Sequence, residues 1–219
     1  MKMQVTIVDY GVGNLFSVRR ALEHCGAEVT ISADPQVIET SARLVLPGVG
    51  AFEDGMHGLQ TCGLIEPIKR FAASGRPLLG ICLGMQMLAS VSHEFGSHEG
   101  LGLIPGQVEP LPIVIEDGRP LKIPHIAWEV VEAAHHPQGS LIEGMAAGAA
   151  VYLVHSFHVV PEDPMHVLAT YRFGEQRITA AIRRNNIFGC QFHPEKSGPV
   201  GLQMLSAFIN MPVVPVNDR

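Results

Sequence analysis

The chain is poor in charged and aromatic residues. Of its 219 residues, 16% are Asp, Glu, Lys or Arg and 6% are Phe, Trp or Tyr, and the formal net charge is −6. Binding to nucleic acid needs clustered Lys and Arg side chains that neutralise phosphates. No basic cluster in this sequence is larger than an adjacent pair such as Arg183-Arg184. We therefore expect no nucleic acid partner.

The sequence also lacks the features of a membrane, secreted or metal-binding protein. No apolar run reaches the ~18 residues that a membrane span needs, and no apolar signal region precedes the first predicted strand. The four cysteines occur singly, without Cys-x-x-Cys spacing. His135 and His136 lie in a predicted loop, while His155 and His158 point to opposite faces of a predicted strand, so neither pair is a good chelate. We expect a cytoplasmic protein without a membrane, a metal or another cofactor.

Apolar residues are abundant, at 47% of the chain, and predict a single domain over residues 1–219. In the first half, predicted strands (4–8, 28–31, 44–46) alternate with predicted helices (14 to about 25, 54 to about 73, and after residue 82 to about 90). This alternation is typical of a parallel sheet. Beyond residue 100, short strands near 108 and at 122–127, 151–157, 167–171, 179–182 and 187–192 favour a mixed or antiparallel extension. A last helix is predicted from about 200 to 209, before a frayed tail with Pro212 and Pro215.

Cys82 lies between a predicted buried strand and a predicted helix. The apolar run 77–81 precedes it, and helical spacing begins at Met85. Such a sharp turn strains the backbone, and Gly80 and Gly84 leave room on either side. The start of the helix would direct free N–H groups at the sulfur and favour the thiolate. Taken alone, Cys82 is better explained as a buried structural cysteine, so its interpretation as a nucleophile depends on a second segment.

That second segment follows another predicted strand and reads His193-Pro194-Glu195. In an extended chain, side chains two residues apart project to the same side, and Pro194 fixes φ between them. Glu195 can then orient the His193 ring, and the ring can accept the proton of Cys82. A surface histidine and a solvated glutamate are the alternative, but sheets of α/β proteins place their sites at strand ends. The three side chains together indicate a nucleophilic acyl-transfer enzyme.

The segments Gly80-Ile81-Cys82-Leu83-Gly84-Met85-Gln86 and Phe192-His193-Pro194-Glu195 resemble the class I (triad) glutamine amidotransferases. In that family Cys, His and Glu release ammonia from glutamine through a glutamyl thioester. The resemblance implies a flavodoxin-like three-layer α/β fold with a central, mostly parallel sheet, helices on both faces and an antiparallel extension. With further segments at 8–15, 44–50 and 154–157, it spans residues 5 to about 210 and is similar to the glutaminases that supply a cyclase in histidine biosynthesis.

The resemblance also implies groups that bind glutamine and stabilise its reaction. Hydrolysis of an amide passes through intermediates with a negatively charged oxygen, which backbone N–H groups stabilise. We expect these donors at Leu83 and in the loop at Val49 and Gly50, for which a plain turn is the alternative. The implied substrate-binding residues are Gly48, Gln86, His155, Ser156 and Phe157, the last three largely through their backbone. From the residues alone, Gln86 equally fits an exposed helix position, and His155 better fits a core histidine.

The implied partner is a (β/α)8 cyclase subunit, in a heterodimer that receives ammonia from L-glutamine. Lys196 and Trp128 are the expected interface residues, although the single Trp of the chain could equally be a buried core residue. Relatives usually read Pro-His-Met-Gly-Trp-Asn where this chain has Ala127 and Glu129, in a predicted partner-facing turn. Three other functions stay open: the glutaminase component of another amidotransferase, a free-standing cysteine hydrolase or peptidase, and a non-enzymatic interaction module.

Overall fold

The computed structural model describes residues 2–134 and 138–212. The strands are β1 Gln4–Val8, β2 Glu28–Ser32, β3 Leu44–Gly48, β4 Leu78–Cys82, β5 Val91–Ser92, β6 His98–Glu99, β7 Gly106–Pro110, β8 Ile115–Glu116, β9 Arg119–Pro120, β10 His125–Val130, β11 Glu132–Ala133, β12 Ala150–His155, β13 Phe157–Pro161, β14 Val167–Phe173, β15 Gln176–Arg184 and β16 Ile187–Cys190. The α-helices are α1 Leu15–His24, α2 Pro35–Thr40, α3 Phe52–Thr61, α4 Ile65–Ala73, α5 Leu83–Met87 and α6 Gly198–Ile209. Short 3-10 helices lie at Pro164–His166 and Pro194–Lys196.

The main sheet has eight strands in the order β2-β1-β3-β4-β16-β15-β14-β11. The first five run parallel to one another. The last three are antiparallel to their neighbours. The predicted parallel sheet with an antiparallel extension is therefore confirmed. In parallel sheets of this kind, sites lie outside the carboxyl ends of the strands, and β3, β4 and β16 all end at that edge.

Both faces of the sheet are covered by helices, which confirms the predicted three layers. One apolar cluster joins β1 through Val5 and Ile7 to the buried sides of α1 and α6. A second cluster, on the other face, joins Val8 to the buried sides of α2, α3 and α4. Because β3 and β4 are buried on both faces, they read as continuous apolar runs rather than alternating ones. Among the helices of the described residues, none is both long and apolar enough to cross a membrane.

Smaller sheets form one side of the site region. Strands β13, β7, β5 and β6 make a four-stranded sheet, while β10 and β12 pair as an antiparallel ladder from His125↔His155 to Val130↔Ala150. Only Ser156 separates β12 from β13. The two smaller sheets therefore meet at this residue.

Several predicted boundaries were wrong. The single helix predicted over 54–73 is two helices, α3 and α4, because Gly63 takes a φ of +66° between them and ends the first. Helix α2 was not predicted, and the helix after Cys82 ends at Met87 instead of residue 90. The predicted strand 151–157 is divided into β12 and β13, and the one predicted at 122–127 begins at His125. Pro215 and the pair His135-His136 lie outside the described residues.

Candidate active site

Cys82 ends β4 and caps the N-terminus of α5, with φ 55° and ψ −112°. Such angles are strained for any residue other than glycine and occur where a function requires them. A Cβ atom on Gly80 would lie 2.6 Å from the carbonyl oxygen of Gly84, and one on Gly84 would overlap the carbonyl oxygen of Leu46. Both glycines are therefore required by close backbone packing. Cys82 itself is largely buried but lines an open cleft.

His193 lies three residues beyond the end of β16, just before the 3-10 helix Pro194–Lys196. Its backbone N–H donates to the carbonyl of Tyr152 on β12 at 3.1 Å, and its own carbonyl accepts from Ser197 Oγ at 2.7 Å. The His193 Nδ1 atom is 2.9 Å from Oε1 of Glu195. The predicted extended segment is wrong in its geometry: a 3-10 turn, rather than strand alternation, brings these two side chains together.

The register of two neighbouring strands brings the imidazole to the thiol. Strands β4 and β16 are parallel, with Cys190 opposite Ile81, so the residues that follow both strands emerge at one edge. Burial alone would lower the pKa of His193, but hydrogen bonds to Cys82 and Glu195 and the negative charges of both raise it to about 9. The ring is therefore protonated at neutral pH when the sulfur is a thiolate. Glu195 is buried, and its Oε2 atom has no hydrogen-bond partner among the described residues.

A cleft of about 260 Å³ opens over the sulfur. Most of the predicted site residues line it: Val49, Gly50, Cys82, Leu83, Gln86, His155, Ser156, Phe157 and His193. Glu195 lies behind His193 and is not part of the lining. Gly48, predicted to bind substrate, does not line the cleft either, since it is buried with Tyr10 and Leu83 packed against the place where its side chain would be. Its role is to let these groups approach closely.

Gln86 and His155 both bind the carbonyl oxygen of Phe157. Gln86 is buried, so the alternative of an exposed helix residue is wrong, and its Nε2 atom donates to Phe157 O at 3.0 Å. His155 Nδ1 lies 2.8 Å from the same oxygen, and its Nε2 lies 2.9 Å from the hydroxyl of Tyr171. Burial lowers the pKa of His155 to about 4, so the ring is neutral. Because a carbonyl only accepts, Nδ1 carries the proton and Tyr171 donates to Nε2.

Three residues of the site were missed by the sequence reasoning. Glu94 and Pro124 line the cleft, and Glu94 Oε2 accepts a hydrogen bond from the backbone N–H of Phe52 at 2.6 Å. Gln191 is fully buried, and its Nε2 atom is 3.7 Å from the sulfur of Cys82. A polar residue inside the apolar run 187–192 was the available signal for Gln191. Nothing local in the sequence distinguishes Glu94 from other acidic turn residues.

Strand β10 turns its apolar side chains outward. Ile126, Trp128 and Val130 are 60%, 57% and 45% exposed. The alternate residues lie on the other face of the strand, where Glu129 Oε1 is 3.1 Å from Nε2 of His125. The predicted turn at Glu129 was therefore wrong, because this residue lies in β10, with its side chain on the face opposite Trp128.

Lys196 and Trp128 both contact the same aromatic ring. The Lys196 Nζ atom lies 5.9 Å from the ring centroid of Tyr152, and the Trp128 ring centroid lies 6.0 Å from it. The Tyr152 ring is in turn 6.4 Å from the ring of His193. The two predicted interface residues are thus joined to the triad through one side chain.

The comparisons of this chain with known proteins agree on one family. The model of the family described as glutamine amidotransferase class-I matches residues 6–211. The chain is 50% identical over 210 residues to imidazole glycerol phosphate synthase subunit HisH 1 of Legionella pneumophila (strain Lens), covering 94% of this chain and 99% of the relative. It is 46% identical to subunit HisH of Syntrophotalea carbinolica, over 94% and 100% of the two chains. Among solved structures, PurLQS from Thermotoga maritima matches with a TM-score of 0.71 at 19% identity, over 96% of this chain and 99% of that chain, a likeness of fold.

Proposed function

Because the chain belongs to the class-I glutamine amidotransferases, we propose that it is the glutaminase subunit of an imidazole glycerol phosphate synthase. As a single domain in the cytosol, where a reactive thiol stays reduced, it hydrolyses L-glutamine to glutamate and ammonia. One observation supports this most directly: Cys82, His193 and Glu195 meet at one sheet edge, and the sulfur faces a cleft of a size that suits an amino acid.

The chemistry follows from the charges of the triad. The Cys82 thiolate attacks the side-chain amide carbon of glutamine, and protonated His193 gives its proton to the departing nitrogen, so that ammonia leaves and a glutamyl thioester remains. The neutral ring then takes a proton from water, which attacks the thioester carbon. Glutamate leaves, and the thiolate and imidazolium are restored. Glu195 holds Nδ1 at 2.9 Å and thereby fixes the ring orientation through both steps.

The tetrahedral intermediates of both steps carry a negatively charged oxygen, which hydrogen-bond donors must stabilise. We assign the backbone N–H of Leu83, at the start of α5, as one donor, and the loop peptide of Val49 and Gly50 as the other. All three residues line the cleft, and Gly50 has a φ of +93° with no neighbouring atom within 4 Å of an added Cβ. This open glycine position allows the peptide to reorient without a clash.

The polar groups of the cleft suit the ammonium end of glutamine. Both N–H bonds of the Gln86 amide are occupied, by the carbonyl of Phe157 and by Oε1 of Gln191. Gln86 therefore has only its oxygen left to offer, which is an acceptor. The Glu94 carboxylate is a second acceptor in the same cleft. We assign these two groups to the α-ammonium of the substrate, and the backbone at Ser156 to its carboxylate end.

We assign the exposed apolar face of β10, with Trp128, and the neighbouring Lys196 to the interface with a (β/α)8 cyclase subunit. An apolar row of three residues between 45% and 60% exposed is unusual for a free surface and typical of an interface core. Lys196 would pair there with an acidic residue of the cyclase. Ammonia would then pass to the acceptor site of the cyclase without meeting bulk water.

The test is glutamate production from glutamine by the chain alone, with the cyclase subunit, and with the cyclase and its acceptor ligand. We expect slow hydrolysis alone, strong stimulation in the complex, no activity in Cys82→Ala, and a smaller loss in Glu195→Ala. Cys62→Ala, at a half-buried cysteine that does not line the cleft, is the matched control and should behave as wild type. Equal turnover with and without the cyclase would contradict the assigned partner, and activity in Cys82→Ala would contradict the assigned nucleophile.

A further inference from the structure

The mechanism above leaves one buried polar side chain next to the nucleophile without a role. Gln191 follows β16 directly and is fully buried, with its backbone N–H donating to the carbonyl of Ala180 at 2.8 Å. Its side-chain Nε2 atom is 3.7 Å from the Cys82 sulfur, and its Oε1 atom is 3.1 Å from Nε2 of Gln86. A buried amide is costly unless both of its ends are hydrogen-bonded, so both contacts matter.

The orientation of this amide is fixed by a chain of contacts that begins at a backbone carbonyl. The oxygen of Phe157 can only accept hydrogen bonds, so Gln86 must direct its NH₂ group at it. The same NH₂ group faces Gln191, which must therefore present its oxygen. The NH₂ group of Gln191 is then directed at the sulfur of Cys82. Flipping Gln191 would place two NH₂ groups face to face and an oxygen against the sulfur.

We propose that Gln191 stabilises the thiolate of Cys82 by donating an N–H···S hydrogen bond from within the protein, which leaves the cleft side of the sulfur free for the substrate. The proposal rests on the proposed role of Cys82 as the nucleophile. A donor bonds more strongly to a thiolate than to a thiol, so it favours the charged, reactive form. Gln191 thereby acts on the reacting atom, while Glu195 acts only through the ring of His193.

The test follows the alkylation of Cys82 by iodoacetamide as a function of pH in the isolated full chain, with the modified peptide identified by mass spectrometry. Gln191→Met keeps the length of the side chain and removes the donor, and Gln191→Leu removes it with a different shape. We expect the pH midpoint of alkylation to rise by about one unit in both variants, which is about a tenfold slower reaction below the midpoint. Gln60→Met, on the exposed side of α3, is the matched control and should keep the wild-type midpoint.

A measurement on the unmodified protein covers the case in which the variants do not fold. The side-chain ¹H and ¹⁵N resonances of Gln191 should shift with pH at the same midpoint as the alkylation of Cys82, and no such shift would contradict the hydrogen bond. An unchanged alkylation midpoint in folded Gln191 variants would overturn this proposal while leaving glutamine hydrolysis by the wild-type complex intact. Absence of hydrolysis in the wild-type complex would instead overturn the proposed function.

Discussion

The protonation state of His193 is the property of this site that can be measured most directly. The pKa of the ring is about 9, against an ordinary value of 6.5, although burial acts in the opposite direction. That difference corresponds to about 3 kcal/mol in favour of the imidazolium. Around pH 7.5 the ring would therefore be protonated in nearly all molecules, and it could donate a proton to the departing nitrogen.

Replacing Cys82 by alanine removes both the hydrogen bond to the ring and the negative charge of the sulfur, while burial and Glu195 remain. A hydrogen bond to a charged group contributes about 1.5–3 kcal/mol, which is about one to two pH units. We therefore expect the pKa of His193 to fall to about 7–8 in Cys82→Ala, with Cys62→Ala at the wild-type value.

The assay is an NMR titration of the ring Cε1–H groups. The chain has eleven histidines, so the signal of His193 is assigned by its loss in His193→Asn. A wild-type midpoint at or below 6.5 would refute the raised pKa of His193, and the same midpoint in wild type and Cys82→Ala would refute the contribution of Cys82 to it.

Three further outcomes are expected. Gly84→Ala should lower the unfolding free energy by about 2 kcal/mol or more in chemical denaturation, because the overlap with the Leu46 carbonyl outweighs the ~1 kcal/mol gain in helix propensity. Gly63→Ala is the control: residue 63 has open space around it and a φ of +66°, so this variant should lose only the ~1 kcal/mol of a strained φ. Equal losses in the two variants would contradict the clash. Tyr171→Phe should cost about 1–3 kcal/mol of stability, because Nε2 of His155 loses its donor, and a neutral effect would argue against the assigned tautomer. Trp128→Ala should weaken binding of the cyclase subunit by about 2 kcal/mol in calorimetry without changing the His193 titration, whereas unchanged affinity would remove β10 from the interface.

Several strands and helices of the fold could be predicted because buried strands and helices leave apolar patterns in the local sequence. Apolar runs marked β1, β3 and β4, and a helical repeat with Asn14 before it and Gly26 after it marked α1. The break between α3 and α4 was missed although Gly63 was visible, since the apolar spacing continues through it. Only the left-handed backbone of Gly63 reveals that the helix ends there.

The candidate site was predicted unevenly for a similar reason. Cys82, His193 and Glu195 lie in two short segments, in which the residue types and their spacing indicate a nucleophile, a base and an orienting carboxylate. Gln191 and Glu94 depend on contacts between residues far apart in the chain, such as Gln191 with Gln86 and Glu94 with Phe52. Contacts between residues so far apart leave no periodic pattern in the sequence. The exposure of alternate residues on β10 likewise follows from which face of the strand packs against Tyr171, whose ring stacks on His125 at 5.5 Å.

Strand β4 ends at Cys82 and strand β16 ends three residues before His193, and the two are neighbours in the sheet, yet the strands of the smaller sheets, including β10, all come from the chain between them. The β4–β16 ladder spaces the two strand ends, and the Tyr152 carbonyl on β12 is a further contact that holds the backbone of His193. Side-chain substitutions between β5 and β13 that leave the backbone of Tyr152 in place can therefore change the opposite wall of the cleft and the outward row of β10 while the spacing of the nucleophile and its base is preserved. The cleft wall and the outward row of β10 thus belong to one continuous stretch of chain that can vary separately from the parallel strands beside the nucleophile.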